Sequence, residues 1–156
     1  DLLKKPFVMK NIFLLFALTC LSATAQDIDY NLKKGFIANG FDVVAYFDNK
    51  PAEGLEKYTV SFDGANYKFS SEKNQEKFNK NPSKYVPKYG EYCAYAIAKK
   101  SEKVSIDPET FLIDDGNLYL FYNSWGTNTL KLWQKNNEAT LIELANANWE
   151  KIKLKK

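Results

Sequence analysis

The residues best equipped for chemistry lie in one run, Tyr89-Gly90-Glu91-Tyr92-Cys93-Ala94-Tyr95-Ala96-Ile97-Ala98-Lys99-Lys100. It combines three phenols, one thiol and one carboxylate. At 100° per residue, Tyr89, Tyr92, Cys93, Ala96 and Ile97 share a face, the spacing of an amphipathic helix. Glu91, Ala94, Ala98 and Lys99 then fall opposite or to the side. A helix of this kind is either the centre of a core with a hydrogen-bonded seam or one wall of a ligand pocket, because buried tyrosine hydroxyls need partners.

Two further groups join this set. The aromatics Tyr46, Tyr122 and Trp133 lie elsewhere in the chain, and Asn123, next to Tyr122, and Asp42, four residues before Tyr46, are candidate polar partners. The candidate ligand-binding residues are therefore Tyr46, Tyr89, Tyr92, Cys93, Tyr95, Tyr122, Asn123 and Asp42. A pocket walled by such rings suits a ligand with a flat or methylated face. The plainer alternative is that the rings form only a core. Cys93 reads as an inert buried thiol, as a ligand or pocket wall, or as a reactive thiol. A thiolate wants a positive neighbour or a helix N-terminus. Cys93 lies near the start of the expected helix, but no basic side chain shares its face before Lys100.

Composition narrows the chemistry. The chain has no histidine, which removes the usual general base, the usual zinc or copper nitrogen ligand and any Ser-His or Cys-His pair. All 22 basic residues are lysines, so fork-shaped recognition of phosphate or carboxylate is absent. Net charge is only +3, without the basic patch that nucleic acid requires. These features turn the reading away from an enzyme. Glu91 and Asp42 could pair as acid and base, but nothing in the sequence fixes their separation. Asp114-Asp115-Gly116-Asn117 lacks the ligand spacing of a calcium loop and reads as a turn. Ser70 and Ser71 read as a helix cap.

The elements that would position these residues follow in order. Asp1 to Val8 reads as an upstream extension. Met9 to Ala25 has a basic start, the apolar run Ile12 to Leu21 and an Ala-Thr-Ala ending, which describes a secretory signal peptide cleaved after Ala25. Its apolar run is shorter than the roughly 20 residues of a membrane span. The remaining Gln26–Lys156 is the length of one domain, expected in the periplasm or outside the cell, with Cys93 its single cysteine and no transmembrane segment.

Phe41 to Phe47 is an apolar run of strand length. Lys57 to Phe62 and Tyr67 to Phe69 alternate about the turn Asp63-Gly64-Ala65-Asn66, which marks a hairpin. Ser70-Ser71 caps a polar helix over Glu72 to Lys80 with Phe78 as its apolar contact, and Pro82 restarts a short helical turn. Phe111 to Ile113 and Leu118 to Tyr122 form a second hairpin. A helix capped near Thr127 or Asn128 runs through Leu130, Leu132 and Trp133. A last helix from Asn137 carries the stripe Leu141, Leu144, Ala145, Asn148, Trp149 and Ile152. Hairpins mixed with helices, without repeating βαβ units, specify an α+β fold.

Three strings together resemble the YHS-domain family, in its small secreted type. They are Gly40 to Phe47, then Phe62 to Ser71 continuing through Asn74, Phe78, Pro82 and Tyr85 into Tyr89 to Ala96, and finally Asp107-Pro108, Gly116 to Leu120, Tyr122-Asn123, Trp133 and Ala147-Asn148-Trp149. The resemblance implies a hairpin followed by a helix, related to small metal-binding modules beside heavy-metal pumps and in some oxygenase components. Relatives place metal-holding cysteines or a histidine where this chain has Ser70, Ser71 and Asn74, which are poor ligands for a soft metal. Glu91 stands where relatives of this type tend to have glycine. The implied function is binding of a small molecule or a metal ion without catalysis, with Cys93 the one metal-ligand candidate. A structural or protein-interaction domain with no ligand is the alternative.

Overall fold

A computed structural model describes residues 27–155. The expected extension and signal peptide lie outside the described residues. Alternation and turn chemistry produce the first hairpin as anticipated. Strand β1 (Leu55–Phe62) pairs antiparallel with β2 (Ala65–Phe69) around Asp63-Gly64. Both turn residues are left-handed, at φ 48° and 78°. That pair of conformations matches the right-handed twist of the strands. Ala65, Tyr67 and Phe69 are buried along one face of β2.

Helix α1 (Glu72–Lys80) follows at once, its first turn capped by the Ser71 side chain, which accepts from Asn74 N. Its one buried residue is Phe78. The Phe78 ring lies 4.7 Å from that of Tyr67 and 5.0 Å from that of Phe69. Pro82 opens α2 (Pro82–Tyr85) at the position where a missing N–H costs nothing.

The second hairpin joins β3 (Asp107–Asp114) to β4 (Asn117–Phe121). β4 is buried on both faces. Leu118 and Leu120 enter the core under the first hairpin, whereas Tyr119 and Phe121 enter a second core with Ile97, Trp133, Leu141 and Ala145. A third, very short hairpin, β5 (Asn123–Ser124) with β6 (Thr127–Asn128), leads into α4 (Thr129–Gln134), capped by the Asn128 side chain. Helix α5 (Glu138–Ile152) is capped by Asn137. This is the α+β architecture expected, with small two-stranded sheets and five α-helices among the described residues.

Three expectations fail. Phe41 to Phe47 is not a strand. Its residues curl through a 3-10 turn at Ala45–Asp48, because Asp42 Oδ1 accepts from the N–H groups of Val44 and Ala45 at 2.9 and 3.3 Å. Such local bonds compete with strand pairing. The helix expected from Tyr89 starts only at Ala94, as α3 (Ala94–Lys100). Tyr89, Gly90 and Glu91 are all left-handed, at φ 58°, 58° and 67°. A Cβ on Gly90 would stand 2.7 Å from the Trp149 ring, so close approach of α5 forces the chain to turn here. Finally, Leu144 is exposed rather than part of the α5 stripe. Asn148, expected on that stripe, instead donates from Nδ2 to the carbonyls of Ile97 and Ala98 at 3.0 and 3.1 Å, closing the C-terminal end of α3.

Among the described residues no helix is long and apolar enough to cross a membrane.

Candidate functional site

The eight candidate residues do not form one cluster. Asp42 is fully buried and wholly occupied. Besides Val44 and Ala45, it accepts on Oδ2 from Ser70 N at 2.9 Å, Ser70 Oγ at 2.7 Å and Asn74 Nδ2 at 2.7 Å. Five donors saturate the roughly four lone-pair sites of a carboxylate. Asp42 therefore ties the turn to the end of β2 and the start of α1, and Ser70 and Asn74 are used in the same knot. Tyr46 is also fully buried, and its hydroxyl donates to Pro108 O at 2.6 Å. Burial, then the nearby Glu91 carboxyl, raise the pKa of that phenol.

Tyr89 donates to Asn146 Oδ1 at 3.0 Å. It borders a cleft of about 660 Å³ between the first hairpin, the Ser83–Gly90 segment and α5. Tyr89 is the single candidate residue that reaches that cleft, and its hydroxyl is already engaged. Tyr92 faces Trp149, with ring centroids 6.3 Å apart, and the Lys103 ammonium lies 5.7 Å from the Tyr92 ring. Burial, then the Asp29 charge, push the Tyr92 phenol up to about 12. Asn123 is exposed and donates to Thr110 Oγ1 and Asp107 Oδ2.

Three candidates do meet. Cys93, Tyr95 and Tyr122 border a cavity of about 420 Å³ between α3, the segment after it, the third hairpin and α4. Ala96, Val104 and Leu132 give it an apolar lining, with Thr127 and Thr129 hydroxyls on the hairpin side and Lys100 and Glu102 at its edge. The volume falls in the range of small-ligand sites.

Cys93 lies beneath this surface, with no exposed area. Its Sγ is 3.2 Å from Thr129 Oγ1. Thr129 donates its one hydroxyl hydrogen to Tyr122 O at 2.8 Å, and a carbonyl can only accept. The hydrogen between sulfur and Thr129 oxygen therefore comes from the thiol. A soft metal would need thiolate or imidazole donors. The donors here are one buried thiol, two phenols, two threonine hydroxyls and the exposed Glu102 carboxylate at the edge, which do not fit such an ion. Among the described residues no three His, Cys, Asp or Glu side chains gather closely enough to hold a metal.

Glu91, considered from sequence only as an acid–base partner for Asp42, has a role the sequence did not show. Expected beside the helix face, it is fully buried. Oε2 accepts from Ala38 N at 2.5 Å, and Oε1 has no partner. Burial raises its pKa well above the usual glutamate value, outweighing the opposing pull of the Ala38 and Asn39 backbone N–H groups. Its left-handed backbone turns it inward, and no helical periodicity could have shown that. A carboxylate beside a glycine within an aromatic run was the one available signal. Trp133 is likewise fully buried, with Nε1 unpartnered, in the second core.

Residues 43–89 match the model of the YHS domain. No curated protein and no solved structure matches the chain. The matched stretch begins in the Asp42 turn and ends at Tyr89. Every residue bordering the Cys93 cavity lies beyond it.

Proposed function

We propose that this chain is a non-catalytic binding module whose ligand is a small molecule held in the cavity above Cys93. The observation that carries the reading is the convergence of Cys93, Tyr95 and Tyr122 on one apolar-lined cavity. YHS domains are a metal-associated family, which agrees with a binding role in general terms. The positions that would hold metal in such relatives are Ser70, Ser71 and Asn74. Here they serve Asp42 and the α1 cap. A small organic ligand is accordingly the better match than a metal ion.

The reading includes export. The Met9 to Ala25 pattern supports cleavage before Gln26, giving one domain that works in the periplasm or outside the cell.

Native mass spectrometry of the protein recovered from its own compartment tests both parts. The expected result is a chain beginning at Gln26 that carries an adduct, with the adduct lost from an Ala96→Leu variant that fills the cavity. A bare mass in both, with no rise in melting temperature across a ligand and metal panel, refutes the binding reading, because a ligand of the native state must stabilise it.

A further inference from the structure

We propose that Trp125 is the outer wall of the Cys93 cavity's ligand site, and that the ligand is planar, apolar-faced and uncharged overall. This rests on the reading of that cavity as a binding site. The three hairpins share one turn, a left-handed pair ending in glycine. The first two use Asp63-Gly64 and Asp115-Gly116. Aspartate is suited to that first position, because its short polar side chain tolerates the left-handed region.

The third hairpin places Trp125 there, at φ 50°, before Gly126 at φ 76°. A left-handed conformation is unfavourable for an L-residue such as this, because its Cβ crowds the following carbonyl oxygen. The indole gains nothing in return within the chain, being 95% exposed. It is the most exposed of the large apolar side chains at the described surface. A large aromatic held out by a strained turn is placed for something outside the chain.

Its position says what that is. The hairpin is the rim of the cavity: Tyr122, just before β5, and Thr127 and Thr129, in and after β6, all border it. Trp125 does not itself border the cavity, but it lies only two residues from Thr127, a span of at most about 7 Å, which puts the opening within reach of its side chain. The cavity then offers a ring face on the outside and Tyr95, Val104 and Leu132 within. Offset stacking on such faces favours flat ligands. Lys100 and Glu102 at the edge are both exposed and make no ion pair among the described residues. Their opposite charges cancel, so neither sign of ligand is favoured.

The test is titration of the chain with the neutral planar dye prodan, read by its blue-shifted emission, beside the anionic dye anilinonaphthalene sulfonate. Prodan is expected to bind the wild type, and Trp125→Ala to weaken it about fivefold to tenfold without lowering the melting temperature. Bound prodan should also shield Trp125 from iodide quenching. Equal binding by Trp125→Ala overturns the role of Trp125 and leaves the cavity reading standing. Tighter binding of the anionic dye overturns the uncharged ligand class, as does failure of prodan to bind the wild type. Undiminished prodan binding by Ala96→Leu places the dye outside the cavity and overturns the proposal as a whole. Thr127→Tyr, at the exposed rim, serves the same purpose if Ala96→Leu does not fold.

Discussion

Glu91→Gln tests the chemistry of the buried carboxyl directly. The wild-type group has no exposed surface, one accepted hydrogen bond and one bare oxygen. Burial raises its pKa in the folded chain, while in the unfolded chain it titrates at an ordinary value near 4.5. Between those two values the native state holds one proton more than the unfolded state. Stability must therefore fall as pH rises through that window, by about 1.4 kcal/mol per pH unit. Below the ordinary value both states are protonated and the contribution is constant. Glutamine keeps the shape, offers an oxygen to Ala38 N and cannot ionise.

The assay is urea unfolding of both proteins at several pH values from about 4 to 7. Taking the difference removes every other titrating group. The two should be nearly equal at the acid end. The variant should gain on the wild type by about 1.4 kcal/mol per unit as pH rises, until the native pKa is reached. A difference that stays flat would mean that Glu91 titrates normally. A variant less stable at neutral pH would mean that the carboxylate is charged and well paired. Either result refutes the argument from burial.

Other expectations are as concrete. Phe78→Ala should lose about 3 to 5 kcal/mol in urea unfolding, since its ring touches Tyr67 and Phe69 at the centre of the first core. Gly90→Ala should lose about 1 to 3 kcal/mol, and its near-ultraviolet spectrum should change as the Trp149 ring is displaced. Cys93 should resist a thiol-reactive dye in native buffer and label fully in denaturant, because it is buried and donates to Thr129. Rapid native labelling would show an open path to the sulfur.

The elements governed by local chemistry were legible. Asp-Gly pairs set two hairpins, Ser71 and Asn137 set helix starts, and Pro82 marked a first turn. Where tertiary contact overrides local pattern, reading failed. Tyr89 to Cys93 has helical spacing, yet Trp149 presses on Gly90 from a helix far along the chain, and the run bends instead. Phe41 to Phe47 has the composition of a strand, yet one carboxylate, Asp42, gathers donors from three segments and folds it into turns. The candidate site was legible in part for the same reason. Cys93, Tyr95 and Tyr122 lie where cavity walls meet. Tyr46 and Tyr89 chose internal partners that only the assembled fold supplies. Trp125 gave no periodic signal, since a turn residue belongs to no face.

β4 gives the chain a further property. Its odd and even residues belong to different cores, so neither core can come apart while the other keeps this strand in place. Melting should be all-or-none, with the amide hydrogens of Leu118 to Phe121 exchanging only through whole-chain opening and with one shared opening free energy. The same strand sets a boundary on dissection. The stretch ending at Tyr89 buries Tyr67 and Phe69 in a core that Leu118 and Leu120 complete. Excised alone, it would lack one wall of its interior, and adding back a peptide spanning β3 and β4 should restore its order.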